Sequence, residues 1–508
     1  MITSLSLPPF NYFLLNFFTF TLFFIFLFKK LNHHKKKKYF FLYGWLFGFG
    51  YFATNLYWIS ISLTFDQNLK FLIPLTVILI PAFLAMFYGL VSYLLMFLKT
   101  KEVVSVFLIY SILFAILEFI RGSILTGFPW NLIAYSFSNQ LEILSIISVI
   151  GTYGFNLFCI SLFTSPALLL LRDTNKEVII FIFFTVSFII FYFYGNYYEK
   201  KFHTAKNTEY NYKVRAIGSS ISLDRFYNDI NPISVIEELI DISDPNFDEN
   251  TIFIWPEGIL PNIYQNELKE YKWLFEKRFN HNHILVIGIN SRNIIDNYAN
   301  YFNTFSIYDN KLNLLNFYNK INLVPFGEFI PVKNLLSRFG FKSITNNYQS
   351  YTKGDDRNII EIKKENFSLR ILPLICYEII YSGKIFKEDN FDLIINISED
   401  GWFGKSIGPK QHFAHSIFRS IESGKYIIRA ANNGRSAIIN PIGVIEKSLD
   451  SNKNGYLDFN ESKIIQPTVF SKFGNKIFAI LILLYIFFIF SISFINSFNR
   501  TRTVFKNK

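Results

Sequence analysis

At residues 368–380 the chain reads SLRILPLICYEII. An apolar, β-branched run leads into Cys376, and a tyrosine and a glutamate follow it directly. This pattern predicts a buried strand that ends at Cys376 and a helix that begins just after it. A thiol at such a turn lies near backbone N–H groups that can hold an oxyanion, and a helix N-terminus favours its thiolate form. Cys376 is therefore a candidate nucleophile, against the alternative of a small buried hydrophobic residue.

The composition indicates a membrane protein. Hydrophobic residues make up 51% of the 508 positions and include 62 phenylalanines, which is too apolar for one soluble domain of this length. The chain has only two cysteines, and Cys159 lies in a long apolar run, so a disulfide framework is excluded and Cys376 should be a free thiol. The net charge of +12 suggests membrane topology better than nucleic-acid binding, because many basic residues flank apolar runs.

Seven apolar runs are each long enough to cross about 30 Å of hydrocarbon as a helix. They cover residues 10–28, 39–56, 71–98, 103–120, 144–171, 178–194 and 477–494. The first run is followed, not preceded, by a basic segment, which favours a retained span over a signal peptide.

Basic residues predict the orientation of these spans. Residues 29–38 hold six lysines and should lie in the cytoplasm, which puts the N-terminus outside. Alternation then places the loops 99–102 and 172–177 and the basic C-terminal tail inside, and each carries basic residues. The segment after Tyr194 is therefore predicted to be extracytoplasmic.

The chain divides into a membrane part at residues 1–199, a globular part at 200–471, and a last span with a cytoplasmic tail at 472–508. In the globular part, strands are predicted at residues 212–217, 251–255, 283–289, 303–308, 369–375, 392–397, 426–431 and 435–440. Helices are predicted between several of them, at residues 233–242, 268–279 and 411–423. Strands that alternate with helices favour an α/β domain with reactive groups at strand ends.

Three reactive side chains follow apolar runs of this domain: Glu257, Lys320 and Cys376. A thiol needs a base, and a carboxylate serves if burial raises its pKa. A nearby lysine would stabilise both the thiolate and the oxyanion formed when the thiol attacks a carbonyl. Each residue alone is more typical of a solvated turn or a surface position, but their common placement at strand ends favours one site.

Two other polar pairs have competing interpretations. His412 and His415 are three apart on one predicted helix face, a spacing that suits a Cys–His nucleophile or a metal site, but surface or packing roles are favoured. Glu118 and Arg121 sit at the outer end of the fourth span. They are expected either to extend to the membrane interface or to form a polar site that faces the outer domain or a lipid headgroup.

Several ordered motifs resemble the nitrilase superfamily. They are WPEG at 255–258, YNK at 318–320, LVPFGE at 323–328 and CYE at 376–378. The membrane setting narrows the resemblance to the apolipoprotein N-acyltransferases, with further similar motifs across nearly the whole chain. These are EFIR at 118–121, LTGFPW at 125–130, WFGKSIGP at 402–409 and NNG at 432–434.

This resemblance implies a bundle of membrane helices that carries an extracytoplasmic α/β domain, a nitrilase-like αββα sandwich. By resemblance Glu257 is the general base, Lys320 stabilises the oxyanion and Cys376 is the nucleophile. The implied reaction is ping-pong: Cys376 takes an acyl chain from a phospholipid as a thioester, and the α-amine of a lipoprotein's diacylglyceryl-cysteine then accepts it. The implied location is the bacterial inner membrane, with the catalytic domain in the periplasm.

The family also implies supporting residues. Glu328 matches a second glutamate that supports the lysine and the thiol, Glu378 matches another required position, and the Tyr377 backbone N–H would complete the oxyanion hole. No metal or soluble cofactor is implied, and no nucleic acid.

The chain departs from the family pattern at three points. The family usually has one span more than the seven counted here. The usual glutamine is missing around residues 218–221, and a tryptophan often found shortly afterwards has only Phe226 or Tyr227 as a replacement. Glu399 stands where an asparagine is common. These changes leave the three catalytic candidates intact and bear on acceptor binding near residues 218–227.

Two further functions are weighed against acyl transfer. A membrane-tethered amidase or hydrolase would use the same three residues with water as the acceptor, but it would need neither long Phe-rich spans nor the motif at 118–130. A transporter or scaffold would tolerate loss of Cys376 and should carry more charge inside its spans. The aromatic and polar segment 328–352 suits a surface excursion better than a lid.

Overall fold

The computed structural model describes residues 1–33, 37–98, 100, 102–228, 230–260, 262–295, 298–331, 350–364, 367–385 and 390–506. Most of the segment 328–352 lies outside them. The chain forms two compact units. The helical unit comprises Met1–Leu63, Lys70–Glu199 and Thr468–Lys508, and the α/β unit comprises Thr64–Leu69 and Lys200–Pro467. The assignment of a membrane, a catalytic and a tail function to residues 1–199, 200–471 and 472–508 stays a prediction.

The described helices of the helical unit follow the apolar runs. They are α1 (Leu15–His33), α2 (Lys37–Leu56), α3 (Ile73–Leu95), α4 (Val103–Arg121), α5 (Leu141–Leu144), α6 (Ile147–Thr164), α7 (Pro166–Leu170) and α8 (Asn175–His203). Two further helices of this unit follow the α/β unit in the chain.

Four helical stretches of the described residues are long and apolar enough to cross a membrane: Gln67–Leu95, Val103–Arg121, Ile147–Leu170 and Asn175–His203. They correspond to the third to sixth predicted spans. The first, second and seventh predicted spans coincide with helices α1 and α2 and with the C-terminal helix Lys476–Lys506. That those three helices also cross the membrane stays a prediction.

Small residues let two of these helices approach closely. A Cβ atom on Gly44 of α2 would lie 2.2 Å from the carbonyl oxygen of Tyr88 in α3, and one on Gly48 would lie 2.8 Å from the Tyr88 Cβ. Glycine at the contact face allows backbone approach where the bilayer gives no hydrophobic driving force. The ring of Phe47, on the same helix, stacks on Phe23 of α1 at 4.2 Å between centroids.

Glu118 and Arg121 do not extend to the interface. Both lie in α4 with 1% and 2% of their surface exposed, and the Arg121 guanidinium donates to the Glu118 carboxylate and to the carbonyl of Phe128. The guanidinium also lies 5.2 Å from the Phe52 ring centroid. The expectation that these side chains extend outward is therefore wrong, because they pair with each other at i and i+3 inside the helical unit. That they form a polar site facing the outer domain or a lipid headgroup stays a prediction.

The α/β unit contains two six-stranded sheets. The first has the order β12-β1-β2-β3-β4-β5 and the second β11-β10-β9-β8-β7-β6. The first sheet's strands are β1 (Asn207–Gly218), β2 (Thr251–Ile254), β3 (His283–Ile295), β4 (Tyr298–Asp309), β5 (Leu314–Asn319) and β12 (Gly455–Lys463). The second sheet's strands are β6 (Ile360–Lys364), β7 (Phe367–Ile375), β8 (Leu393–Glu399), β9 (Tyr426–Asn432), β10 (Ser436–Ile439) and β11 (Ile445–Leu449).

Parallel strands form the centre of each sheet. Strands β1, β2 and β3 pair in parallel, as do β7, β8 and β9, and the outer pairs are antiparallel. All residues of β2, β8 and β9 are buried, as expected where both faces of a parallel sheet are covered. The carboxyl ends of such strands are where an α/β fold places its reactive groups.

Helices cover the outer face of each sheet. Helix α9 (Pro232–Ser243) and the one-turn helix α10 (Lys272–Phe275) share an apolar core with the first sheet, centred on the fully buried Trp255. Helix α11 (Gly408–Ser423) packs on β9 and β10, and β1 contacts β9 and β10 across the sheets. The predicted αββα sandwich is confirmed. The chain then continues into α12 (Val469–Phe473) and α13 (Lys476–Lys506).

Two local predictions differ from the structure. The helix expected at residues 268–279 is a 3-10 turn, Leu268–Tyr271, followed by the short α10. The helix expected after Cys376 is a single 3-10 turn, Cys376–Ile380. In both places the apolar periodicity does not distinguish a short turn from a longer helix.

Candidate active site

The three catalytic candidates lie just beyond the ends of strands from both sheets. Glu257 follows β2, Lys320 is the first residue after β5, and Cys376 is the first residue after β7. Their exposed fractions are 6%, 1% and 7%. These three groups are removed from water. Because a low dielectric weakens the screening of charges, they interact strongly with one another.

Lys320 is held between two carboxylates. Its Nζ donates to Glu257 Oε1 at 3.1 Å and to Glu328 Oε1 at 2.9 Å. Asn303 of β4 joins the same two oxygens, since its Nδ2 donates to Glu257 Oε1 at 2.7 Å and to Glu328 Oε1 at 2.9 Å. Burial opposes the protonation of Lys320, but the charges of Glu257 and Glu328 outweigh it and hold its pKa well above the ordinary value. Lys320 is therefore a fixed cation.

Glu257 is oriented by the strands around it. Its second oxygen, Oε2, accepts the backbone N–H of Glu399 at 2.9 Å, so both carboxylate oxygens have donors. Gly288 in the neighbouring strand β3 permits this approach, because a Cβ atom there would lie 2.3 Å from the Pro256 carbonyl oxygen and 2.6 Å from the Glu257 Cα. The position of Glu257 thus depends on backbone contacts on two sides.

Cys376 adopts an unusual backbone conformation. Its φ angle is +48°, in the left-handed region that side chains with a Cβ avoid at a cost of about 1–2 kcal/mol. Burial raises the pKa of its thiol well above the ordinary value, the charge of Glu257 adds to this, and the charge of Lys320 opposes it. The expectation that a helix N-terminus would favour the thiolate is therefore wrong, because a single 3-10 turn replaces the helix and the thiol is buried beside a carboxylate.

Glu378 stabilises the site by accepting hydrogen bonds from several of the segments around it. Its Oε1 accepts the Tyr318 hydroxyl at 2.7 Å and the Arg357 guanidinium at 2.6 Å, and also the backbone N–H groups of Ile321 and Asn322. Its Oε2 accepts the backbone N–H of Ile375 at 2.9 Å, three residues earlier. Burial opposes ionisation of Glu378, but the Arg357 charge and these donors hold its pKa below the ordinary value. One carboxylate therefore ties the turn after Lys320 to the strand that ends at Cys376.

Tyr377 is buried, with its ring edge-on to that of Tyr381 at 5.6 Å between centroids. Its backbone N–H belongs to the peptide unit that begins at the Cys376 carbonyl. An N–H donor at this position is expected to reach the oxyanion that forms when the Cys376 thiol attacks a carbonyl group.

Glu399 is neutralised by groups that sequence reasoning did not link to it. Its carboxylate accepts hydrogen bonds from Arg225, Asn432 and Asn433, and Arg225 and Glu399 are both buried. Burial raises the pKa of Glu399, and the Arg225 charge opposes this. The glutamate at this position is thus accommodated by an arginine from the segment 218–227.

Aromatic rings surround the same segment. Phe226 stacks on Trp402 at 5.2 Å between centroids, Tyr227 lies edge-on to Trp402 at 6.5 Å, and Phe65 lies edge-on to it at 5.9 Å. Trp402 therefore contacts both residues considered as replacements for a missing tryptophan.

Both histidines of α11 are buried, which agrees with a packing role and excludes a surface one. His412 contacts the main chain of the candidate nucleophile: its Nε2 lies 3.3 Å from the Cys376 carbonyl oxygen, and its Nδ1 lies 2.9 Å from Asp400 Oδ1. Within the described part of the chain, no group of three or more His, Cys, Asp or Glu side chains is placed to hold a metal ion.

Sequence reasoning missed Asn303, Arg357, Asp400 and Arg225. Each is polar, lies in an irregular segment or a strand, and gains its role only from a partner far away in the chain, such as Glu378 for Arg357. Asparagine and lysine are common in this chain, so residue type alone gives no signal. The one available signal was position: Asp400 follows a buried strand as Glu257 and Cys376 do.

The fold and the site define a carbon–nitrogen hydrolase domain. Residues 249–460 match the carbon-nitrogen hydrolase family, and residues 1–165 match the family described as the apolipoprotein N-acyltransferase N-terminal domain. The chain is 32% identical to the apolipoprotein N-acyltransferase of Rickettsia prowazekii (strain Madrid E), over 89% of this chain and 90% of that one. It is 30% identical to that of Rhodopseudomonas palustris, over 87% and 84%. The chain belongs to the apolipoprotein N-acyltransferases and is an enzyme of that family.

Solved structures of similar domains match with low scores. A mutant amidase from Nesterenkonia sp. AN1 matches at 11% identity and a TM-score of 0.33, covering 52% of this chain and 93% of that one. Saccharomyces cerevisiae Nit3, a member of the nitrilase superfamily, matches at 15% identity and 0.34, covering 49% and 90%.

Proposed function

We propose that this enzyme transfers a fatty acyl chain from a phospholipid to the N-terminal amine of diacylglyceryl-cysteine in lipoproteins, through a thioester on Cys376. One observation carries the proposal. The buried Lys320 ammonium contacts Glu257 at 3.1 Å, and the Glu378 carboxylate joins the turn after Lys320 to the strand that ends at the buried thiol of Cys376. A base, a fixed cation and a nucleophile are thus combined at three strand ends.

In the first step the Cys376 sulfur attacks the ester carbonyl of the phospholipid while Glu257 takes the thiol proton. A carbon–sulfur bond forms, and the negative charge moves to the carbonyl oxygen. Lys320 and the Tyr377 backbone N–H stabilise this oxyanion. When it collapses, the ester C–O bond breaks and Glu257 returns the proton to the departing lysophospholipid oxygen.

In the second step the α-amine of the diacylglyceryl-cysteine attacks the thioester carbonyl. Glu257 takes a proton from the amine, and the same donors stabilise the second oxyanion. The carbon–sulfur bond then breaks, the thiol regains its proton, and an amide is formed. Every proton passes through Glu257, so the mechanism requires no metal or soluble cofactor. Glu328, Tyr377 and Glu378 support these steps, Glu328 and Glu378 by fixing Lys320 and the turn that carries it.

The membrane setting suits these substrates. Both are anchored in lipid, and each CH₂ group kept out of water avoids a cost of about 0.8 kcal/mol. We infer that residues 1–199 and 472–508 hold the enzyme in the bacterial inner membrane, with the catalytic residues 200–471 on the periplasmic side. The lysine-rich segment at 29–38 and the basic C-terminal tail favour this orientation under the positive-inside rule.

An acceptor assay tests the proposal. Purified protein is incubated with phospholipid and a diacylated lipopeptide, and lipopeptide and fatty acid are followed by mass spectrometry beside Cys376→Ala. We expect N-acylated lipopeptide from the intact enzyme and none from the variant. Free fatty acid without N-acylated product would instead identify a membrane-tethered hydrolase that uses water, and full transfer by Cys376→Ala would remove the proposed nucleophile.

A further inference from the structure

A buried polar cluster lies behind the candidate nucleophile and takes no part in the proton transfers above. It consists of Asp400, His412 and Arg429, whose exposed fractions are 1% or less. Arg429 Nη2 donates to both oxygens of Asp400, at 2.9 and 2.8 Å. Asp400 Oδ1 in turn lies 2.9 Å from His412 Nδ1. Burial opposes the ionisation of Asp400, but the Arg429 charge outweighs it and lowers the pKa of Asp400.

The far side of the His412 ring contacts the nucleophile's backbone. Nε2 lies 3.3 Å from the Cys376 carbonyl oxygen, which accepts hydrogen bonds and cannot donate them. The contact is attractive only if Nε2 carries a proton. In the imidazolium both contacts are hydrogen bonds, since Nδ1–H donates to Asp400 Oδ1 and Nε2–H donates to the Cys376 carbonyl oxygen. In the neutral ring with the proton on Nε2, Nδ1 accepts from Arg429 Nη2 at 3.3 Å, although its lone pair also faces Asp400 Oδ1 at 2.9 Å. The other neutral tautomer would set a lone pair against the carbonyl.

This contact bears on the direction of the next N–H group. In a trans peptide the C=O and the following N–H are coplanar and point in opposite directions. The Cys376 carbonyl and the Tyr377 N–H form one such unit. A hydrogen bond that fixes the carbonyl therefore also fixes the N–H. The unit needs an anchor, since Cys376 has a φ of +48°, a conformation that persists only where surrounding contacts enforce it.

We propose that His412, held by Asp400 and Arg429, is a positioning residue that binds the Cys376 carbonyl and thereby aims the Tyr377 N–H at the reacting carbonyl oxygen. The inference rests on the proposed function, because it assigns His412 a part in stabilising the oxyanion of that reaction. In this role His412 acts through the Cys376 main chain, whereas the base of a Cys–His pair would take the thiol proton.

The cluster also includes Ser398, which lies in β8, the strand that Asp400 follows. Its Oγ donates to Asp400 Oδ1 at 2.8 Å. Asp400 is thus held by Ser398, His412 and Arg429, and through His412 it is linked to the main chain of Cys376. One carboxylate at the end of β8 links the second sheet and helix α11 to the turn that carries the nucleophile.

The test separates oxyanion stabilisation from thiol reactivity. Thioester formation on Cys376 from phospholipid creates an oxyanion, whereas alkylation of the same thiol by iodoacetamide does not. Both rates are measured in full-length protein that carries Cys159→Ala. His412→Asn keeps a group near Asp400 but does not reach the carbonyl, and His412→Gln places an amide N–H where Nε2 stood. His415→Asn, another buried histidine on α11, is the matched control.

We expect His412→Asn to slow thioester formation by about 10- to 100-fold at saturating phospholipid, with KM and the alkylation rate unchanged. His412→Gln should recover at least part of the rate, and His415→Asn should retain it. An unchanged thioester rate in His412→Asn would overturn the inference. An equal loss of alkylation would do the same, since it would show an effect on the thiol or on folding. If the unsubstituted enzyme forms no thioester, the proposed function fails and this inference with it.

Discussion

At the scale of single residues, Glu257 has two opposed effects on Cys376. As the proposed base it would remove the thiol proton, whereas its negative charge adds to the effect of burial in raising the pKa of that thiol and so disfavours the thiolate. Under the proposed mechanism we therefore expect a protonated thiol in the resting site, with the proton leaving as the carbonyl is attacked. A thiolate that formed freely beside the membrane would instead be open to oxidation and alkylation.

Glu257→Gln should therefore separate reactivity from catalysis. Loss of the negative charge lowers the pKa of Cys376, and below that pKa each unit of decrease raises the thiolate fraction about tenfold. We expect faster iodoacetamide alkylation at pH 7 and a shift of its pH profile to lower pH, measured in a Cys159→Ala background. Acyl transfer should fall by at least about 100-fold, since the base is gone. Slower alkylation in the variant would contradict this electrostatic account.

Glu378 is the residue whose loss should cost most stability. Its replacement by glutamine leaves the Arg357 charge buried without a counter-ion and turns one acceptor of backbone N–H groups into a donor. We expect the free energy of unfolding to fall by about 3–5 kcal/mol, measured by denaturant titration of the solubilised protein. Glu361→Gln, at an exposed position on β6, is the control and should change it by less than about 0.5 kcal/mol. If both variants had the same free energy of unfolding, Glu378 would not stabilise the site in this way.

At the scale of elements, the close pairing of β2 with β3 fixes Glu257. Gly288→Ala would place a methyl group 2.3 Å from the Pro256 carbonyl oxygen and push the strand end that carries Glu257 away from Lys320. We expect kcat to fall at least tenfold with little change in KM, because a shift of about 1 Å is costly for catalysis. Ile289→Val in the same strand removes a buried methylene, costs about 1 kcal/mol of stability and should leave kcat near its starting value. A normal kcat in Gly288→Ala would show that the strand can adjust.

Strand ends are the elements that sequence reasoning located well. Buried runs that stop before Glu257 and Cys376 have a clear periodicity, and the structure places strands there. The helix after Cys376 was predicted wrongly, because the apolar pattern continues through a single 3-10 turn whose length depends on packing and on Glu378 reaching back to Ile375. The contact joins residues only three apart, but Glu378 also binds Tyr318 and Arg357, which are distant in the chain and do not show in the local pattern.

The polar groups that hold the site were harder to predict. His412 was recognised as a helix-face residue, but its neighbours Asp400 and Arg429 come from two other elements, and only the folded sheet brings them together. Arg121 was expected either at a membrane interface or in a polar site, because its position at a helix end is compatible with both, and its burial follows from the Glu118 pair and the Phe128 carbonyl. Such pairings depend on tertiary structure, not on residue type.

For the whole molecule, the proposed topology places the candidate catalytic residues on the periplasmic side of the membrane. The test is labelling of single cysteines with a membrane-impermeant maleimide in a protein whose two own cysteines are replaced. Lys453→Cys, at an exposed position before β12, should be labelled in intact spheroplasts. Asp173→Cys, exposed between α7 and α8, should be labelled only after lysis. The reverse pattern would invert the proposed topology.

The central claim is that the acyl chain passes through Cys376. Purified enzyme is given phospholipid alone, and the mass of the peptide that contains residue 376 is measured before and after addition of a diacylated lipopeptide. We predict a gain equal to one acyl chain that hydroxylamine removes, that the lipopeptide discharges as N-acylated product, and that Cys376→Ala lacks. N-acylated product formed without any acyl-enzyme on Cys376 would contradict the account, because transfer would then be direct.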